Sequence, residues 1–178
     1  MSVAHEDYLV RVPPAAVSVQ AVAASRRKRA FDIAFAVLAL IFLAPFLVFV
    51  AAAIRMDSPG PALFRQARSG LGGAPFMNFK FRTMRSESIG PDLRQATRDD
   101  ARVTRLGRLL RALSIDELPQ LLNVARGDMS IVGPRPHALA HDKAWAPTTP
   151  GYDRRFRARP GLTGRAQVLG FRGEILQP

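Results

Sequence analysis

The sequence predicts an α+β, mostly helical fold: a re-entrant membrane helix, then a small cytoplasmic domain with a β-hairpin and amphipathic interfacial helices. Three observations predict it. Ile33 to Ile54 is a run of 22 residues without a charge, long enough for a membrane helix. Pro45 falls in its middle, where it removes a helix hydrogen bond and bends the chain. The remaining chain mixes short alternating runs with stripes of helical period. At 178 residues the chain suits one domain with a real core. It divides into a weakly ordered segment 1–25, a membrane helix 26–55 kinked at Pro45, and a cytoplasmic domain 56–178.

The membrane segment follows Arg26, Arg27, Lys28 and Arg29, which hold its N-terminal flank in the cytoplasm. The chain after Ile54 carries 21 of the 26 Lys and Arg residues against 11 acids. A spanning helix would export that basic domain. The arms on either side of Pro45, 12 and 10 residues, are roughly 18 and 15 Å long, each about half of a hydrocarbon core. A helix that enters and leaves by one face satisfies both facts. The segment is too long, and starts too far from the N-terminus, for a signal peptide.

The domain opens with turn residues Ser58-Pro59-Gly60-Pro61. Two strand-like runs then flank a Gly-rich turn at 69–73, which predicts a hairpin. In "FMNFKFRTM", Phe79, Phe81 and Thr83 alternate with Asn78, Lys80 and Arg82, giving an apolar face and a cationic one. The cationic face is either solvated or turned to phosphate. Residues 86–100 read as a loop. In "RVTRLGRLLRALS", Val103, Leu106, Leu109, Leu110 and Leu113 form one stripe beside Arg102, Arg105, Arg108 and Arg111. Such a basic amphipathic helix suits an anionic membrane interface, or serves as an ordinary surface helix.

"ALSIDELPQLLNVARGD" sets adjacent acids, Asp116 and Glu117, among leucines. Ser114 and Glu117 match a capping box, with Gly127 as the helix stop; alternatively the helix begins at Pro119, with the acids just before it. Either way the helix start favours both ionised forms. Adjacent residues point in different directions, so the two acids are placed for separate tasks, although helix capping alone accounts for acids in a first turn. "GDMSIVGPRPHALAHD" is a rigid turn region around Arg135. "RARPGLTGRAQVLG" is another, around Arg157, Arg159 and Arg165. Both can offer backbone N–H groups and a guanidinium to phosphate, or be simple turns.

Composition narrows the partners. A net charge of +12 and a pI of about 11.6 call for an anionic one. With no cysteine, disulfides and thiolate metal sites are excluded. His137 and His141 stand four apart without the acid of a zinc motif, and read as a loop or surface pair.

Taken together and in order, "KRAFD" (28–32), the Pro-kinked apolar segment, "FRQARSG" (64–70), "FKFRTM" (79–84), "RALSIDELPQLLNVARGDMSIVGPRP" (111–136) and "RPGLTGRAQV" (159–168) resemble the bacterial sugar transferase family, the monotopic polyprenyl-phosphate phosphoglycosyl transferases. The resemblance runs from about residue 26 to the C-terminus and is closest to glucose phosphotransferases. It implies transfer of a sugar 1-phosphate from a UDP-sugar, glucose or galactose, to undecaprenyl phosphate, with release of UMP. This would occur at the cytoplasmic face of the bacterial inner membrane, among anionic lipids, and begin exopolysaccharide, capsule or O-antigen assembly. It also implies Asp116 as the nucleophile of a covalent phosphosugar intermediate and Glu117 as a ligand of Mg²⁺. Lys80, Arg82, Arg111, Arg135, Arg159, Thr163 and Gln167 fall in the matching motifs as binders of substrate and phosphate. The chain departs from the family at Arg165, where an aromatic is usual, and at Pro178, beyond which the family continues into a helical tail. Two other readings compete: a scaffold of the same fold without turnover, and a basic nucleic-acid-binding protein. The interleaved aromatics and cations of "FMNFKFR" suit the second; the 22-residue apolar run opposes it.

Overall fold

A computed structural model describes residues 25–85 and 100–170. The segment 1–24, most of the expected loop 86–100 and the C-terminal residues 171–178 lie outside them. The described chain opens with one long helix, α1 (Arg26–Asp57). Ser25 caps it, accepting from the Lys28 N–H. Its 32 residues reach roughly 48 Å, and the helical assignment continues through Pro45. A hairpin follows: β1 (Leu63–Ser69) and β2 (Pro75–Phe81) pair antiparallel, Leu63 opposite Phe81 and Ser69 opposite Pro75. The predicted Gly-rich turn joins them. Helices α2 (Arg105–Ala112) and α3 (Gln120–Arg126) come next. A second, parallel pair, β3 (Ser130–Val132) and β4 (Gly161–Thr163), encloses the short α4 (Leu139–Trp145). α5 (Arg165–Val168) is the last described helix.

α1 is apolar on nearly every side but buries only one stripe. Phe31, Leu38, Ile41, Phe42, Val48 and Phe49 are all exposed. Asp32, Ala36, Val50 and Ile54 are buried. The two halves of α1 feed different clusters. Ala36, with Leu40 and Leu43, packs on Leu121, Val124 and Met129. Val50 and Ile54, with Leu47, pack on Phe81 and Leu110. Pro45 falls between these patches.

Both ends of α1 are also tied to the domain by polar groups. Asp32, 3 % exposed, accepts from Lys28 Nζ at 2.8 Å, Ser130 Oγ at 2.8 Å and the Ile131 N–H at 3.2 Å. At the other end the Arg82 guanidinium donates to the carbonyls of Ser58 (2.6 Å), Ile54 (3.4 Å) and Pro59. A cation there complements the negative end of the helix and meets the Ser58 and Pro59 carbonyls just beyond its last turn.

The basic stripe divides in the structure. Leu110 and Val103 are buried, whereas Leu109 and Leu113 are exposed beside exposed Arg105 and Arg108. α3 ends as expected at Gly127, whose φ of 105° suits glycine. Asn123 joins it to the hairpin. Fully buried, it accepts from the Phe79 N–H at 3.0 Å and donates to the Met77 carbonyl (2.7 Å) and Asp128 (3.1 Å). Removing it leaves backbone groups of β2 buried and unpaired, a loss of about 1–3 kcal/mol. Asn123→Ala is expected to lower the melting temperature by several degrees, about 2–4 °C per kcal/mol. Thermal unfolding of the purified protein in detergent reads it; an unchanged midpoint would contradict the role.

Candidate active site

The two acids lie between helices, not within one. α2 ends at Ala112 with Leu113 as its C-cap, and Ser114 takes a left-handed conformation (φ 57°, ψ 20°), sparsely populated for a residue with a side chain. Ile115–Glu117 then form one 3₁₀ turn, and α3 starts at Gln120, just after Pro119. The capping box therefore does not form: Ser114 makes no side-chain cap, because its backbone is used to reverse the chain. The alternative, acids ahead of a helix starting near Pro119, is the one adopted. In a 3₁₀ turn successive side chains diverge by about 120°, so the neighbours face different surroundings.

Glu117 faces the hairpin. Its Oε1 accepts from Lys80 Nζ at 2.7 Å and lies 3.5 Å from the Arg135 guanidinium. Burial pushes its pKa up, but Lys80 and Arg135 outweigh burial and hold it below the usual value. Asp116 is 9 % exposed. Burial raises its pKa and the Glu117 charge adds to the rise, while Lys80 and Arg111 offset them only in part. The helix start was expected to favour both ionised forms; burial shifts the Asp116 pKa up while the cations beside Glu117 shift its pKa down.

A small cleft opens beside Glu117, lined by Lys80, Arg135, Gln167, Arg68, Asn78 and Gln120. Three expected binders, Lys80, Arg135 and Gln167, thus share one cavity with Glu117. Arg111 stands nearby, donating to Thr83 Oγ1 at 2.8 Å within the field of Asp116. Three others are elsewhere. Arg82 lies past the end of β2 and is spent on the C-terminus of α1, so the predicted alternation of cations stops at Lys80. Arg159 donates to the Gly127 carbonyl at 3.0 Å, at the end of α3. Thr163 enters through its backbone, its carbonyl accepting from the Gly133 N–H at 3.0 Å. That contact supports the Arg135 loop, where Gly133 and Gly161 cross so closely that a Cβ on Gly161 would lie 2.1 Å from Gly133 N.

Sequence reasoning passed over Arg68, Asn78 and Gln120. A signal for the first two was available. Register places Gln66 opposite Asn78 and Arg68 opposite Phe76, so Gln66, Arg68, Asn78 and Lys80 share a face. It becomes readable only once the turn length sets the register.

Two guanidiniums hold the Arg135 loop by consecutive carbonyls. Arg155 donates to the Arg135 carbonyl and Arg68 to that of Pro136. Arg68 also donates to Gln66 Oε1 at 2.8 Å, and burial lowers its pKa to about 10. Arg155 donates to Tyr152 Oη at 2.7 Å, which donates to Asp142 at 2.6 Å. His137 is no surface group. It sits 2.9 Å from Tyr152 Oη and against Arg155, and burial with that cation lowers its pKa to about 3, so it is neutral at physiological pH. His141 instead stacks on Trp145.

The described residues contain no cluster of three or more His, Cys, Asp or Glu, so a Mg²⁺ ion at this site would draw from the protein on the two adjacent acids alone. That suits Mg²⁺, which binds through one or two carboxylates and completes its shell with phosphate oxygens and water. Glu117 has one oxygen engaged by Lys80, leaving the second for such a role.

A buried acid beside several cations is suited to anionic groups, and the long apolar helix is compatible with membrane association. The bacterial sugar transferase family model matches residues 23–177, and the chain belongs to that family. It is 61 % identical over 152 residues to a UDP-glucose:undecaprenyl-phosphate glucose-1-phosphate transferase of Caulobacter vibrioides, covering 85 % of this chain and 57 % of that protein. The Escherichia coli protein of the same name is 48 % identical, over 83 % of this chain and 32 % of its own length. An exopolysaccharide production protein PSS of Rhizobium leguminosarum is 47 % identical, over 85 % and 78 %. The chain thus spans about half or a third of the first two.

Because Asp116 has a raised pKa, its ionised form costs the fold stability at neutral pH: the penalty is absent below the unfolded pKa and is complete above the folded one. Asp116→Asn is therefore expected to melt at the same temperature or higher, by up to about 2–4 °C for each kcal/mol relieved. A clearly lower melting temperature would mean that the carboxylate supports the structure.

Proposed function

We propose that this protein transfers a sugar 1-phosphate, glucose 1-phosphate first among candidates, from a UDP-sugar to undecaprenyl phosphate. The names of its relatives support the substrates, and the buried Asp116 beside the Lys80, Arg111 and Arg135 cations supports the chemistry. A carboxylate with a raised pKa is a better nucleophile once ionised. Asp116 Oδ attacks the sugar-bearing phosphorus, the bond to the uridine-bearing phosphate breaks, and UMP leaves with that electron pair. The acceptor's phosphate oxygen then attacks the same phosphorus and frees Asp116, giving a polyprenyl-diphosphate sugar. Lys80 and Arg135 bind and orient the diphosphate charge. Glu117 is the proposed Mg²⁺ ligand; the ion, when bound, neutralises further phosphate charge.

The decisive observation for Asp116 would be a phosphosugar adduct. Incubation with UDP-glucose without lipid acceptor should add one such mass to the wild type and none to Asp116→Asn, whose amide cannot attack. Turnover by Asp116→Asn near the wild-type rate would remove the assignment. Adduct formation should fall with pH through a pKa above the ordinary carboxylate range. Arg111→Gln, by deleting a stabilising cation, should move that limb to still higher pH; movement downward would contradict the electrostatics. EDTA should abolish turnover and Mg²⁺ restore it, while undiminished activity in EDTA would exclude the metal.

We further place α1 as a re-entrant, monotopic element at the cytoplasmic face of the inner membrane. Its two ends bond the same domain, which a helix crossing the bilayer could not do without carrying the domain through the lipid. The domain's exposed leucines and arginines on α2 suit an anionic lipid surface. The chain has no native cysteine, so labelling is clean: Ala30→Cys and Asp57→Cys should react from the same side of sealed vesicles. Opposite sidedness would establish a spanning helix.

A further inference from the structure

We propose that Thr83 is a positioning residue for the transfer: its hydroxyl aims the Arg111 guanidinium at the phosphate attacked by Asp116. The inference rests on the sugar-phosphate transfer reading above. Thr83 lies just past the end of β2 and is 7 % exposed. Three residues of α2 meet it: Thr104, the N-cap, then Gly107 and Arg111. They stand at i, i+3 and i+7, along one face of the helix. The Thr83 carbonyl accepts from the Thr104 N–H at 3.1 Å. Gly107 lies so close to that carbonyl that a Cβ would fall 2.1 Å from its oxygen. The Thr83 hydroxyl accepts from Arg111 Nε at 2.8 Å. The backbone of Thr83 thus fixes the start of α2, and its side chain is left to fix what the end of α2 presents.

Arg111 stands where such aim matters. Its carbonyl accepts from the Ser114 N–H at 3.1 Å, and the Ser114 carbonyl accepts from the Glu117 N–H at 3.2 Å. The last turn of α2 therefore runs directly into the turn that carries both acids. Lys80 holds that turn through Glu117, so one short stretch of chain, from Lys80 to Thr83, supports it at two points. Burial lowers the Arg111 pKa, and Asp116 leads the charges that oppose the fall. Nε is the only Arg111 nitrogen hydrogen-bonded among the described residues. A guanidinium fixed at Nε has its plane set and keeps its two terminal amino groups, a pair that can hold two oxygens of one phosphate. Left unfixed, a long arginine side chain samples many rotamers, and a charge misplaced from the reacting phosphorus loses much of its effect. The hydroxyl is not needed to dock α2, because the Thr83 carbonyl and the Gly107 contact do so without it.

The test compares Thr83→Val, which keeps the shape and the backbone contacts without the hydroxyl, with Thr83→Ser, which keeps the hydroxyl. The full-length protein in detergent receives UDP-glucose with undecaprenyl phosphate for turnover, and without it for the rate of phosphosugar adduct formation. Thr83→Val should lower kcat/KM and the adduct rate roughly 10- to 100-fold, the effect of a charged group out of place, and Thr83→Ser should stay within about three-fold of the wild type. Arg111→Gln supplies the discriminating background: with the guanidinium gone, adding Thr83→Val should slow the reaction by less than about two-fold more, since the two residues act as one unit. A hydroxyl that served only the fold would give losses that add, whatever stands at position 111, together with a lowered melting temperature. Three results would overturn the inference: Thr83→Val as fast as the wild type, Thr83→Ser as slow as Thr83→Val, or additive losses in the double variant. If Arg111→Gln forms no adduct, thermal unfolding decides: Thr83→Val must be slow yet melt with the wild type, and a parallel loss of stability would overturn the inference. If Thr83→Val does not fold, Thr83→Ala replaces it. Wild-type turnover that the Thr83 variants leave unchanged would defeat this inference alone. No adduct and no turnover by the wild type would defeat it together with the reading on which it rests.

Discussion

The arrangement depends on one buried amide. Asn123 is completely enclosed, and its side chain bonds the backbone of β2 on both sides of Asn78. That contact sets the strand carrying Lys80 against the helix whose leading turn carries Asp116 and Glu117. The Lys80–Glu117 distance of 2.7 Å is a consequence of that docking. A hydrophobic contact could slide by an ångström without much penalty; a side chain bonded to two successive peptide groups cannot. The leucine-rich α3 supplies burial, and Asn123 supplies register.

Within that frame the acids differ because their neighbours differ. Glu117 meets cations from two elements, while Asp116 is surrounded chiefly by burial. On the proposed mechanism, one carboxylate steadied and the next made more basic would separate a ligand role from a nucleophilic one. The left-handed Ser114 belongs to the same design, since it ends α2 and turns the chain so that both acids fall in the short 3₁₀ turn before α3. The supporting loop is equally constrained: Arg155 and Arg68 hold adjacent carbonyls, so Arg135 is presented by a backbone with little freedom.

Much of this was legible in the sequence, and the failures share a cause. The long apolar segment, the hairpin turn, the basic stripe and the stop at Gly127 all follow from local pattern. For the acidic pair the local pattern was met by simple helix capping, and a chemical role came only from resemblance. Arg82 and Arg159 also bond backbone carbonyls at helix ends, because helix carbonyls attract cations just as phosphate does. Only the fold shows that Arg82 stands at the end of α1. Arg68 and Asn78 were missed because their convergence depends on cross-strand register. The capping box failed for a related reason: the Ser114–Glu117 spacing is compatible with capping, but the chain needed a reversal there. His137 looked like half of a surface pair because its partners, Tyr152 and Arg155, come from later in the chain.

The fastening of α1 bears on the order in which the protein is made. The groups that hold Asp32, Ser130 and Ile131, lie 98 and 99 residues downstream; Arg82 lies 24 residues beyond Ser58. An apolar segment therefore leaves the ribosome long before the bonds that anchor its first half can exist. On the proposed topology, its orientation during that interval rests on the Arg26–Arg29 flank and on Pro45. The helix would be parked at the membrane first and latched afterwards, from its C-terminal end towards its N-terminal one.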